Sequence, residues 1–148
     1  MQSIKAPDRE PAKFPSVFLA GGITGCPDWQ SGVTNALAGL PITVFNPRRD
    51  MFPDDPAAEE EQIRWEFERL RSATLVAFWF PKETLNPITL FEFGADMERT
   101  KPFIVGVDPE YARISDLEIQ MKLRRPDVSM IRSLGELTDA IKAFFKAA

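Results

Sequence analysis

The sequence predicts a doubly wound α/β domain built on a five-stranded parallel sheet. Three observations predict it. Short apolar runs recur along the chain, with stretches of helical spacing between them. The first of these runs passes straight into a glycine turn, Gly21-Gly22-Ile23-Thr24-Gly25. The run over residues 74–80, Thr-Leu-Val-Ala-Phe-Trp-Phe, lacks polar–apolar alternation, as expected of a strand covered on both faces.

The elements follow in order. Residues 1–14 are polar, carry Pro7 and Pro11, and read as a flexible arm ahead of a single domain over 15–148. Residues 16–20 form the first strand, followed by the glycine turn and a helix over 27–40 with Asp28 near its start. Residues 42–45 form the second strand, which ends at Asn46-Pro47, and a Pro- and Asp-rich loop covers 48–56. Residues 57–72 are helical, with Ile63, Phe67 and Leu70 on one face. The third strand spans 74–80 and leads to a helix over 88–100. A fourth strand at 102–107, a helix at 115–123, a short fifth strand at 128–131 and a closing helix at 133–147 complete the chain. Right-handed crossovers then favour the flavodoxin-like strand order 2-1-3-4-5. Ligands of such sheets sit beyond the carboxyl ends of the strands, at the switch point. That edge brings together the glycine turn, the loop after Phe45, and the loop from Pro81 into the helix that carries Glu92.

Composition narrows the chemistry. A chain of 148 residues, 44% hydrophobic and 27% charged, suits one domain with one core. Its net charge of −4 argues against a nucleic-acid partner. No apolar run approaches the ~20 residues that span a bilayer, and residues 1–10 lack the apolar stretch of a signal peptide. A cytoplasmic location is expected. Cys26 is the single cysteine, so no internal disulfide or thiolate metal cluster is possible. The chain has no histidine, which removes the commonest general base, the Ser–His and Cys–His pairs and most zinc sites. Acid–base and nucleophilic work must fall on carboxylates, hydroxyls, Lys or Tyr. No cofactor and no metal are expected.

Glu92 stands out because it interrupts the apolar stretch from Ile88 to Ala95 just past a buried strand. Taking an ionised carboxylate out of water is costly unless something pairs with it or uses it. Thr89-x-x-Glu92 also fits a helix capping box, as does Ser133-x-x-Glu136, and Asn86-Pro87 makes a good cap and first-turn pair. The glycine turn has neither the G-x-G-x-x-G spacing of a dinucleotide site nor a G-K-[ST] phosphate loop. Arg48 and Arg49 suit a 5′-phosphate; pairing with Asp50, Asp54 or Asp55 in the same loop is the favoured reading. Trp65 lies opposite the Ile63–Phe67–Leu70 face, which predicts an exposed ring at an interface.

Three segments carry a resemblance. Val17-Phe18-Leu19-Ala20-Gly21-Gly22-Ile23 resembles the first strand and glycine turn of nucleoside 2-deoxyribosyltransferases, and Phe91-Glu92-Phe93-Gly94-Ala95 resembles their nucleophile helix. The stretch from Gln62-Ile63-Arg64-Trp65-Glu66 through Phe78-Trp79-Phe80-Pro81 to Pro87-Ile88-Thr89-Leu90 is similar to a less characterised branch of that superfamily. The resemblance covers roughly Pro15 to Ser133. It implies that Glu92 attacks the anomeric carbon of a 2-deoxyribonucleoside and that a second base, or water, takes the sugar from the covalent intermediate. It places Glu66 where the family has an Asp that serves the base, and Gly21, Gly22 and Ile23 against the nucleoside. Asn86 falls where the family has an acidic contact to the sugar hydroxyls, and Thr74 where it has an Asp. Thr89 and Trp79 complete the expected substrate contacts, the tryptophan as a surface for a base to stack on. A homo-oligomer is expected, at least a dimer. An N-glycoside hydrolase acting on nucleosides or their 5′-monophosphates is the first alternative, and a non-catalytic nucleotide-binding protein the second.

Overall fold

The structure, a computed structural model, describes residues 1–147. Ten elements follow one another: β1 (Gln2–Lys5), β2 (Ser16–Gly21), α1 (Trp29–Ala36), β3 (Thr43–Asn46), α2 (Pro56–Ser72), β4 (Leu75–Phe80), α3 (Pro87–Met97), β5 (Phe103–Val107), α4 (Ile114–Arg124) and α5 (Leu134–Ala147). The strands form one five-stranded parallel sheet in the order β1-β3-β2-β4-β5. The chain is a flavodoxin-like α/β domain.

Period-two alternation divides the apolar strands between two layers. From β2 and β4, Phe18, Ala20, Val76, Phe78 and Phe80 join Trp65, Phe93, Tyr111 and Met121 in a core beneath α2, α3 and α4. Val17, Leu19, Leu75, Ala77 and Trp79 join Trp29, Val33, Leu137 and Ile141 beneath α1 and α5. Absence of alternation in residues 74–80 is thus burial on both faces.

The two outer strands depart from the sequence reading. Part of the expected N-terminal arm is β1, an edge strand in register with β3 from Gln2↔Thr43 to Lys5↔Asn46. Ile4 is its only fully buried side chain, too little apolar signal to mark a strand beside Pro7 and Pro11. The expected fifth strand over 128–131 shrinks to one bridge, Ile131↔Gly106. Two residues later the chain turns into α5, where the Glu136 amide donates to Ser133 Oγ at 3.2 Å, so pairing stops there.

The third departure concerns α2. Ile63 and Phe67 are 59% and 60% exposed, whereas Trp65 is 1% exposed. Its ring sits 6.0 Å from Phe18 and 6.4 Å from Phe45, and its Nε1 donates to the Asp8 carbonyl at 2.7 Å. The helix carries apolar residues on two opposite sides, Ile63 and Phe67 on one and Ala58 and Trp65 on the other. The largest ring takes the interior because the N-terminal segment folds back to satisfy its one donor. Trp65 is therefore a core residue and offers no interface.

Candidate active site

The carboxyl ends of β2, β3 and β4 open into one cleft of about 490 Å³, a size suited to a small-molecule ligand. Its floor is Phe18 and Ala20; its walls are the glycine turn, the 47–52 loop, α2 and the start of α3. The three segments expected to converge do so.

The glycine turn and the loop after β4 are locked together. A Cβ on Gly22 would lie 2.0 Å from Asn86 Oδ1 and 2.7 Å from Cys26 Sγ, so only glycine fits. Asn86 has φ 52° and ψ 57°, a left-handed conformation that asparagine tolerates better than most residues. Its Nδ2 donates to the carbonyls of Pro81 (3.1 Å) and Thr84 (2.9 Å), and its Oδ1 accepts from Thr84 Oγ1 at 2.8 Å. Asn86 lines the cleft with both amide hydrogens already engaged, so it shapes the loop and has no donor left for a sugar hydroxyl.

Helix α3 begins at Pro87, and Asn86 makes no side-chain cap bond. Thr89 consequently lies inside the first turn, and the Thr89–Glu92 capping box does not form. Thr89 and Glu92, one turn apart, both line the cleft. Phe93 anchors the helix between Phe78 (5.1 Å), Phe80 (5.7 Å) and Phe103 (5.8 Å). Glu92 makes no hydrogen bond or ion pair among the described residues. Burial raises its carboxyl to about 8, assisted by the like charges of Glu66 and Asp96.

Glu66 enters from the opposite wall. With Glu59 and Gln62 it forms an i, i+3, i+7 stripe of α2 that faces the cleft. Burial raises its carboxyl too, against a hydrogen bond from Gln62 and the nearby charge of Arg49. Two like charges in a partly dry site favour a single shared proton. With its carboxyl raised to about 8, Glu92 holds a proton over the neutral range.

The remaining expected residues divide. Gly21, Gly22 and Ile23 line the cleft. Trp79 does not: alternation along β4 sends it to the opposite layer, where it packs over Gly106 and is a core residue. Thr74 receives the Ser16 amide at 3.0 Å and stays at the far end of its strand. The arginines ignore their neighbouring aspartates. Arg48 pairs with Asp28 and donates to Gln30 Oε1 (3.0 Å) and to the Pro27 carbonyl (2.9 Å). Arg49 pairs with Glu61 at 2.9 Å, while Asp50 pairs with Lys5 and Asp55 caps α2. Sequence reasoning passed over Gln62, Glu59, Phe52, Thr84 and Ile88, all of which line the cleft. The i, i+3, i+7 spacing of Glu59, Gln62 and Glu66 was the available signal.

The cleft thus presents three carboxylates, one guanidinium already engaged, and apolar walls. A search of curated proteins finds no match. The family model described as nucleoside 2-deoxyribosyltransferase like matches residues 14–111, from the start of β2 to just past β5 and across every wall of the cleft. The chain belongs to the nucleoside 2-deoxyribosyltransferase-like family.

Proposed function

We propose that the protein cleaves the N-glycosidic bond of a 2′-deoxynucleoside and transfers the 2-deoxyribosyl group to a second base, with Glu92 as the nucleophile. The observation that carries this reading is the meeting of Glu92 and Glu66 from two different helices in one cleft, each with its carboxyl raised by burial. A carboxylate on one side and a proton donor on the other is what a retaining double displacement needs.

In the first half-reaction a Glu92 oxygen bonds to the anomeric carbon. The C–N bond breaks, its electron pair goes to the base, and Glu66 supplies the proton that the departing nitrogen takes. The proton reaches Glu66 from Glu92 when the nucleoside binds, because positive charge developing on the sugar favours ionised Glu92. In the second half-reaction the nitrogen of another base attacks the same carbon. Glu92 is released and Glu66 recovers a proton from the incoming base. Water as acceptor gives hydrolysis through the same intermediate. The internal engagement of Arg48 and Arg49 favours nucleosides over their 5′-monophosphates.

Incubating the protein with 2′-deoxynucleosides and their 5′-monophosphates, with and without a second base, and identifying products by chromatography and mass spectrometry tests this. A new nucleoside formed only with the second base, and lost in Glu92→Ala, is the expected result. Free base alone means hydrolysis. No turnover by a folded protein sinks the proposal and leaves nucleotide binding. A homo-oligomer belongs to the same proposal; the exposed Ile63, Phe67, Ile88 and Phe91 on α2 and α3 supply apolar surface for it, and sedimentation velocity checks it.

A further inference from the structure

One side chain in the cleft is held more firmly than its residue type requires. The Arg49 side chain is 6% exposed, with its guanidinium against the Phe52 ring (5.1 Å to the centroid) and Nη2 on Glu61. Its Nε donates to Gln62 Oε1 at 2.7 Å. Gln62 Nε2 then donates to the Pro47 carbonyl at 2.8 Å and to Glu66 Oε1 at 2.7 Å. An arginine can only donate and a carbonyl can only accept. These two neighbours, independent of Glu66, fix which end of the Gln62 amide faces Glu66. Glu66 Oε1 must therefore accept, and a proton carried by Glu66 sits on Oε2, which has no hydrogen-bond partner among the described residues.

We propose that Gln62, locked by Arg49, is the positioning residue that reserves Glu66 Oε2 for proton exchange with the departing and arriving bases. The inference rests on the reading of Glu66 as the proton donor. The lock also ties that carboxyl to the 47–52 loop, which forms one wall of the cleft through Pro47, Arg49 and Phe52. The charged groups around Glu66 are Arg49 from the loop, Glu92 from α3, and Glu59 and Glu61 from its own helix. Gln62 is the only hydrogen-bond donor to its carboxyl among the described residues.

The test is a double-mutant cycle with Gln62→Leu, Glu66→Gln and both together, joined to a carbon-13 titration of the Glu66 carboxyl. Gln62→Leu is expected to lower kcat about 10-fold, the scale of a lost hydrogen bond to a charged group. The double variant should be no slower than Glu66→Gln alone, because Gln62 acts only through Glu66. Losing the donor disfavours ionised Glu66, so its titration and the acid limb of the kcat/KM profile should move up by about one pH unit, the same order of energy. A merely structural role would shift the titration alone and leave the kcat/KM profile where it is. If Gln62→Leu does not fold, Gln62→Met, closer in shape and likewise without a donor, should give the same direction of shift. Normal turnover with an unmoved Glu66 titration, or additive losses in the cycle, overturns this inference and leaves the proposed reaction standing. A wild-type protein without turnover on any substrate removes the reaction and this role together, even if the titration shift is seen.

Discussion

Replacing Glu92 with glutamine should make the protein more stable while abolishing the proposed transfer, and the gain should depend on pH in a defined way. The wild-type carboxyl titrates at about 8 when folded, against 4.5 ordinarily. Its folded pKa is raised, so between these values the folded state holds a proton that the unfolded state has released. The contribution of Glu92 to stability then falls as pH rises from about 4.5 to about 8 and levels off above. A neutral amide at this position carries no such penalty. At 1.36 kcal/mol per pH unit, the advantage of Glu92→Gln is less than ~1 kcal/mol at pH 5, about 3 kcal/mol at pH 7 and about 4 kcal/mol at pH 8. For a chain of this size that is a melting-temperature gain of roughly 10 °C at pH 7 and under ~3 °C at pH 5. Thermal unfolding of both proteins across pH 5 to 8, by calorimetry or circular dichroism, reads it directly. A difference that stays constant with pH, or a less stable variant at pH 8, would refute the claim that Glu92 is held in a costly environment.

Other perturbations have distinct signatures. Glu66→Gln should lower kcat for ordinary 2′-deoxynucleosides by on the order of 10²–10⁴, and far less for an N7-methylated purine deoxynucleoside, whose base leaves without needing a proton; equal losses on the two substrates would argue against proton donation. Gly22→Ala forces a Cβ to within 2.0 Å of Asn86 Oδ1, and a denaturant titration should show a loss of about 1–3 kcal/mol together with a weakened substrate affinity. Trp65→Ala should cost about 3–5 kcal/mol as a core truncation, while Ile63→Ser on the exposed side of the same helix should stay within about 0.5 kcal/mol; the reverse ranking would restore the opposite face of α2 to the core.

Much of the fold was legible because it rests on local pattern. The apolar run of β4 and the glycine turn after β2 are short-range signals, and together with right-handed crossovers they leave few sheet orders to choose from. Glu92 was legible for the same reason, as a carboxylate inside an apolar stretch. β1 was not, since an edge strand with one buried side chain needs only a neighbour with free backbone groups, and that neighbour, β3, lies about 40 residues away. The Thr89–Glu92 capping box failed on a detail of helix start: Pro87 opens the helix one turn earlier than the box requires.

The sequence by itself determined the α/β class, the core of the sheet order, the cleft at the carboxyl ends of the strands and Glu92 as a carboxylate out of place in an apolar stretch. Each follows from periodicity or from the identity of a few adjacent residues. Tertiary structure alone decided which face of α2 is inside, that Trp79 turns away from the cleft, and that Arg49 and Gln62 hold Glu66. It also decided that Glu92 is buried deeply enough, beside Glu66 and Asp96, to keep its proton near neutral pH. The physical reason is range. Secondary structure responds to neighbours within a turn or a strand, whereas burial, the partner of a polar group and the field at a carboxylate depend on residues that meet only when distant elements pack.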